Sequence, residues 1–178
     1  MTPRDEFVEF ATATSARLRR TAFLLCGDWH TAEDLTQATL TKLFVSWRHI
    51  SRRDEAYPYA LRTLLNTYLA DRRRKRAGEL LTGQVPELPR EQQAPELRIM
   101  VLDALATLPP KARAVVVLRY WADMSVEQVA TLLGCSEGNV KSQAARGLDK
   151  LRPLLGDAAT ELGLPDHPAA EQRDTRNA

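Results

Sequence analysis

Side chains that can hydrogen-bond to the edges of DNA bases are concentrated in one short stretch of the chain. They are Ser136, Glu137, Asn139, Lys141, Ser142, Gln143 and Arg146. Asn and Gln match the donor and acceptor pair of adenine, Arg and Lys match guanine, and Glu can accept from cytosine. Such side chains distinguish base sequences when a helix presents them together in the major groove. The stretch therefore indicates a helix that contacts DNA, provided that its neighbours position it.

The residues around this stretch have the spacing of a helix-turn-helix motif, in which two helices cross at a tight turn. Ala130 is small enough for the second helix to pass closely, Gly134 can take the positive φ of the turn, and Val140 fills the space between the helices. Ser125, followed three residues later by Gln128, is typical of the capping box that begins a helix.

The second helix of this motif is expected to begin at a Ser136 cap and to bury one face. Its apolar side carries Val140, Ala144, Leu148 and Leu151. The side chains that match bases then lie outward or at the flanks. The alternative is an ordinary helical hairpin within a bundle, because two amphipathic helices joined by Gly-Cys-Ser are compatible with both.

The composition favours a globular protein and gives no sign of enzymatic chemistry. The 178 residues are 44% hydrophobic and 27% charged, which is enough to bury a core. Cys26 and Cys135 are far apart and the histidines are scattered, so we expect no metal, no cofactor and no catalytic residue. There is no apolar run of membrane-spanning length, and residues 1–15 are acidic where a signal peptide would be basic. We therefore expect a cytoplasmic protein with no membrane contact and no small-molecule substrate.

Charge and periodicity divide the chain into four parts. Residues 1–77 and 97–155 have an excess of basic side chains, whereas 78–96 and 156–178 have an excess of acidic ones. The segment 78–96 contains prolines and no helical period, which is typical of a linker. We predict an all-α protein of two small helical domains joined by a flexible linker, with the helix-turn-helix in the second domain and a polar, frayed tail after it.

Apolar residues at three- and four-residue steps predict three helices in the first domain and two before the helix-turn-helix. The expected ranges are 5–25, a second helix capped by Thr31 and ending near His49, 57–76, 97–108 and 111–121.

The third helix carries a strongly basic surface. Cations such as the run Arg72–Arg76 are favoured at a helix C-terminus by the helix dipole even without a ligand, which is one interpretation. The same helix, however, places Arg62, Asn66 and Arg73 on one face, as a stripe that can follow one strand of a duplex. The stripe favours contact with DNA phosphates, with additional hydrogen bonds from Asn66.

Aromatic residues flank the loop 50–56 that precedes this helix. Trp47, Tyr57 and Tyr59 suggest a pocket for an unstacked base, because aromatic faces accept bases displaced from a duplex. The alternative for Trp47 is a place in the core, since it ends an amphipathic helix.

The start of the second helix carries Glu33, Asp34 and Gln37. Acids there are stabilised by the helix dipole, so a solvated first turn is the simplest interpretation. Their position beside a basic, DNA-binding helix also suggests a protein partner.

Several segments, taken in order, resemble one known family. They are AEDLTQATLTKLF (32–44), NTYLADRRRKR (66–76) and LPPKARAVVVLRYWADMSVEQVATLLGCSEGNVKSQAARGLDKLR (108–152). Their order resembles that of the extracytoplasmic-function sigma factors of bacterial RNA polymerase. Leu-Cys-Gly-Asp-Trp at 25–29 is similar to the small actinobacterial branch.

The resemblance implies a factor that binds core RNA polymerase, recognises promoter DNA and promotes its melting, and it leaves open whether an anti-sigma factor is a further partner. By this likeness the polymerase would be bound by Glu33, Asp34, Gln37 and Thr41. The minus-ten element would be bound by Trp47, Tyr57, Tyr59, Arg62, Asn66, Arg72 and Arg73. The minus-thirty-five element would be bound by Ser136, Glu137, Asn139, Lys141, Ser142, Gln143 and Arg146.

Two other classes of protein are alternatives to a sigma factor. A stand-alone helix-turn-helix regulator with a sensing domain would bind duplex DNA tightly without polymerase, whereas a sigma factor should bind free promoter DNA weakly. A recombinase or nuclease is disfavoured because the chain has no clustered set of carboxylates.

Overall fold

The computed structural model describes residues 2–50, 55–82 and 96–165, the last four residues of the second range by their backbone alone. Within these ranges every regular element is helical, which confirms the predicted all-α fold class. The first unit contains α1 (Pro3–Cys26), α2 (Trp29–Ser46), a 3₁₀ turn (Trp47–His49) and α3 (Ala56–Thr82). The second contains α4 (Glu96–Ala106), α5 (Pro110–Tyr120), α6 (Val126–Leu133), α7 (Glu137–Leu155) and α8 (Ala158–Glu161). The loop, linker and tail predictions for residues 51–54, 83–95 and 166–178 lie outside the described residues.

The first unit is a three-helix arrangement in which α1, α2 and α3 all contact one another. Its centre is made of fully buried leucines from every helix, namely Leu18, Leu25, Leu43, Leu61, Leu64 and Leu65. These positions follow the three- and four-residue steps that the sequence shows, because only such spacing places side chains on one face of a helix. Thr2 and Asp5 form a capping box at the start of α1, and Gly27 ends it with a φ of 79°.

Two helix boundaries in this unit correct the sequence-based expectation. Asp28, and not Thr31, caps α2, because the Asp28 carboxylate accepts a hydrogen bond of 2.7 Å from the Thr31 backbone N–H. Helix α3 continues to Thr82, although the linker was expected to begin at Gly78. A glycine costs a helix only about 1 kcal/mol, and the following Glu-Leu-Leu favours helix, so α3 continues through it.

The second unit is built around α7, which packs against α4, α5, α6 and α8. Its fully buried large side chains include Leu105, Val115, Val116, Leu118, Leu148 and Leu151. Helix α5 is buried along almost its whole length and so forms the support on which α7 lies.

The start of the predicted tail is folded, contrary to the expectation that the chain is frayed after Gly156. Helix α8 packs against α7, and Ala158, Ala159 and Leu164 are buried. The Arg152 guanidinium also donates a hydrogen bond to the Pro165 carbonyl. These apolar residues are too few to show a helical period in the sequence. They are nevertheless enough to cover the end of α7.

Candidate nucleic-acid interface

Helices α6 and α7 form the helix-turn-helix that the sequence predicts. Ser125 and Gln128 make a reciprocal capping box at the start of α6, and Gly134 ends this helix in the left-handed conformation with a φ of 64°. The Ser136 hydroxyl accepts a hydrogen bond of 3.2 Å from the Asn139 backbone N–H and so caps α7. Val140 is fully buried between the helices. Each of these local predictions is confirmed.

The outward face of α7 carries most of the predicted base-contacting side chains. Glu137, Asn139, Lys141 and Arg146 are exposed, and Ser142 and Gln143 are half-buried at the flank. Ser136 is exposed as well, but its hydroxyl is already used by the cap. One helix therefore presents amide, guanidinium, ammonium and carboxylate groups together, which is the set of groups that distinguishes bases in a major groove.

Helix α3 carries the second basic surface. Arg62, Asn66, Arg72 and Arg73 are all exposed. Arg73 lies eleven positions after Arg62, a rise of about 16 Å along the helix. This length suits contact with several successive phosphates of one DNA strand.

An acidic residue precedes the basic run Arg72–Arg76, which lies within α3 and not at its C-terminus as the helix-dipole interpretation required, because the helix continues to Thr82. The Asp71 carboxylate lies 3.5 Å from the Arg74 guanidinium and 3.1 Å from the Lys75 ammonium group. Arg72 and Arg73 have no ion pair within the described part of the chain. The sequence contains a signal for these pairs, because an Asp three and four residues before two cations is a recognisable helical pairing pattern.

The three aromatic residues expected near the unstacked base do not lie in one environment. Trp47 is only 3% exposed and packs against the rings of Phe7 and Phe10, so the structure places it in the core, which was the alternative interpretation. Tyr57 is half-buried, and Tyr59 is 43% exposed. Two of the three rings are therefore available near the start of α3.

Tyr57 is covered on one side by a residue that sequence analysis missed. The Arg17 guanidinium carbon of α1 lies 4.4 Å from the centre of the Tyr57 ring, within the range of a cation–π contact. Burial raises the pKa of the Tyr57 phenol, against the lowering effect of the Arg17 charge. No sequence signal pairs these residues, because they are forty positions apart on different helices.

The predicted polymerase-binding residues line one side of α2. Glu33, Asp34, Gln37 and Thr41 are all exposed, at spacings that return to the same face. Glu33 makes an exposed ion pair of 3.3 Å with Arg19 of α1. Such a pair contributes little to stability, so a binding partner can replace it at small cost.

The fold and its two basic surfaces define a helical DNA-binding protein with a helix-turn-helix. None of the described helices is long and apolar enough to span a membrane. Among the residues described, no three His, Cys, Asp or Glu side chains are placed to hold a metal ion.

Comparison with known proteins assigns the family. Residues 10–78 match the family "Sigma-70 region 2", and residues 98–151 match "Sigma-70, region 4". The chain is 37% identical over 152 residues to the RNA polymerase sigma-E factor of Streptomyces coelicolor, covering 84% of this chain and 86% of that protein. It is 35% identical over 160 residues to the ECF RNA polymerase sigma factor SigL of Mycobacterium tuberculosis, covering 84% and 86% of the two chains.

A solved structure supports the same assignment. The sigma factor RpoE of Bartonella quintana, crystallised in complex with the anti-sigma factor NepR, matches with a TM-score of 0.69 and 25% identity. The match covers 84% of this chain and 96% of that one. The chain belongs to the sigma-70 family as an extracytoplasmic-function RNA polymerase sigma factor.

Proposed function

We propose that this sigma factor divides its contacts among three helices, with α7 binding the minus-thirty-five element of the promoter. The observation that carries this proposal is the two-sided character of α7. Val140, Ala144, Leu148 and Leu151 are buried. The opposite side exposes Asn139, which suits adenine, and Arg146, which suits guanine.

Helix α3 binds the minus-ten element in this proposal. Arg62 and Arg73 contact phosphates, and Asn66 adds hydrogen bonds to the same strand. Tyr57 and Tyr59 lie at the other end of α3 from the basic run, where they are suited to contact a base that has left the duplex. Trp47 is not part of this surface, because it is buried against Phe7 and Phe10 of α1.

Helix α2 binds the core polymerase. Its exposed side combines acidic and amide groups at the first turns with the Thr41 hydroxyl further along. Glu33 is already paired with Arg19, so a basic residue of the polymerase would replace one exposed ion pair by another. This exchange favours specificity over raw affinity.

The two functional domains of this proposal are the predicted segments 1–77 and 97–155, the first extended to the end of α3 at Thr82 and the second extended to include α8. In this proposal the described residues have no catalytic role and bond formation belongs to the polymerase, so we place the action of the chain in the cytoplasm with that enzyme. We extend the proposal to an anti-sigma partner, because the similar Bartonella sigma factor was crystallised with one.

The proposal is tested by selecting DNA from a random pool with the reconstituted polymerase holoenzyme. The native chain is expected to select two separated sequence elements. Asn139→Ala and Arg146→Ala should each relax the preference at single positions of the upstream element, by about 1–3 kcal/mol where a bidentate contact is lost. Lys111→Ala, an exposed cation on α5, is the matched control and should leave both elements unchanged. Equal loss at all sequences would show that α7 contacts only the backbone.

A further inference from the structure

Arg17 is held in place by an aromatic ring. Its guanidinium carbon lies 4.4 Å from the centre of the Tyr57 ring, so Arg17 connects the middle of α1 to the start of α3. A cation–π contact with a ring face uses none of the five guanidinium N–H donors for a conventional hydrogen bond, so those directed away from the ring remain able to donate. Tyr57 therefore orients Arg17 without using its hydrogen-bonding capacity.

The charge of Arg17 is not balanced by a carboxylate in the described residues. Arg19 on the same helix differs, because it pairs with Glu33 at 3.3 Å. Arg17 is also exposed, so an anion can reach it. An oriented, exposed and unbalanced guanidinium is suited to bind a phosphate with two parallel hydrogen bonds.

The neighbours of Arg17 indicate whether the phosphate belongs to a single strand or to a duplex. Tyr57 and Tyr59 stand at the start of α3, about 22 Å along the helix from the cations that begin at Arg72. Aromatic rings combined with a cation are typical of surfaces that bind single strands, whereas the cations at the far end suit duplex. The Arg17 contact also covers one face of Tyr57, which leaves less of that ring to stack on a base.

We propose that Arg17 is a further promoter-binding residue, whose guanidinium, oriented by Tyr57, binds a backbone phosphate of the separated DNA strand at the start of α3. This inference rests on the proposed role of α3 in minus-ten binding. It adds a contact from α1 that belongs to the open form of the promoter and not to the duplex.

The test compares two DNA probes bound by the polymerase holoenzyme. One is a forked DNA that carries the selected upstream element and a short unpaired segment, and the other is its fully paired counterpart. Arg17→Gln should weaken binding to the fork by about tenfold, as expected for a lost hydrogen bond to a charged group. Its salt dependence should become shallower by a log-log slope of about 0.7, the value for one phosphate on a single strand. Binding to the paired probe should change much less, because only the fraction that the polymerase melts brings a separated strand to Arg17.

Two further variants make the result specific. Arg17→Lys keeps the charge and should retain the salt slope of the native chain. Arg4→Gln removes an exposed cation near the start of α1 and should leave both probes unaffected. Thermal unfolding of each variant shows whether the fold is kept.

The outcomes separate this inference from the function on which it rests. If the native holoenzyme does not prefer the fork, the proposed role of Tyr57 and Tyr59 at the start of α3 fails, and the role of Arg17 fails with it. If the preference is present and survives in Arg17→Gln, only the inference about Arg17 is overturned. Weaker fork binding with an unchanged salt slope would also overturn it, because the lost contact would then not involve a phosphate.

Discussion

Gly147 of α7 and Val116 of α5 meet with no room for a methyl group between them. A β-carbon built on Gly147 would lie 2.5 Å from Val116 Cγ2. This close approach sets the distance between the proposed recognition helix and the helix that supports it. The position of the side chains that we propose face DNA therefore depends on a buried glycine on the opposite side of α7.

The contact between Gly147 and Val116 predicts that a Gly-to-Ala change in this helix lowers the free energy of unfolding instead of raising it. Such a change commonly stabilises a helix by about 1 kcal/mol, but Gly147→Ala should destabilise the second unit by about 1–3 kcal/mol through overpacking. Gly138→Ala is the matched control on the same helix, because its β-carbon would meet only the Ser136 hydroxyl at 4.0 Å. Urea unfolding measures both, and a stabilised Gly147→Ala variant would contradict the packing described.

Asp28 predicts a specific loss of stability in acid. Burial raises the pKa of Asp28, but the hydrogen bonds from Thr31, together with the charge and the backbone N–H of His30, hold the pKa below its ordinary value. A lowered folded-state pKa contributes stability that is present above about pH 4 and is lost as the pH falls through the folded value. Asp28→Asn keeps a cap and removes the titration, so its unfolding free energy should fall less steeply below about pH 4. The same acid slope in both proteins would contradict this role.

The ion pairs of Asp71 predict that the cations of the run Arg72–Arg76 contribute unequally to DNA binding. Changing Arg72 and Arg73 together to Gln should make the salt dependence of promoter binding shallower by about 0.9 for each lost phosphate contact. Changing Arg74 and Lys75 should have a smaller effect, because the Asp71 carboxylate already lies beside both charges. Holoenzyme binding to promoter DNA, titrated with salt, measures the two slopes. Equal changes would show that Asp71 does not restrain its neighbours.

The segment from α8 to Leu164 is predicted to stabilise the second unit. Leu164 is only 5% exposed, and truncating a buried leucine commonly costs 2–5 kcal/mol, so Leu164→Ala should cost about 2 kcal/mol. Leu154→Ala is the control near the end of α7, where the side chain is 47% exposed and the expected change is within about 0.5 kcal/mol. Thermal unfolding of the two variants decides whether the residues after Gly156 belong to the folded unit.

The helix-turn-helix could be predicted from sequence almost residue by residue, because its determinants are local. A capping box needs two side chains three positions apart, and a left-handed turn favours a glycine. The sequence alone therefore identifies Ser125 and Gln128 as the cap and Gly134 as the turn residue. The burial of Val140 follows from the helical period. The exposure of Asn139 and Arg146 follows from the same period on the opposite side.

The features that could not be predicted from sequence depend on contacts between residues far apart in the chain, or on a choice between two residues that are equally suited to one position. Asp28 and Thr31 are both good helix caps, and only the backbone geometry selects Asp28. The burial of Trp47 depends on Phe7 and Phe10 from α1, and the orientation of Arg17 depends on Tyr57 from α3. Periodicity shows which face of a helix is apolar, but it does not show which residue of another helix covers it.

The most direct test of the whole account is run-off transcription from a pool of genomic promoters, with core RNA polymerase alone and with this chain added. Discrete new start sites that share two upstream sequence elements are the expected result. The double change of Asn139 and Arg146 to Ala should then redistribute these starts among promoters. No new starts, combined with tight binding to duplex DNA in the absence of polymerase, would contradict the account and indicate a stand-alone regulator.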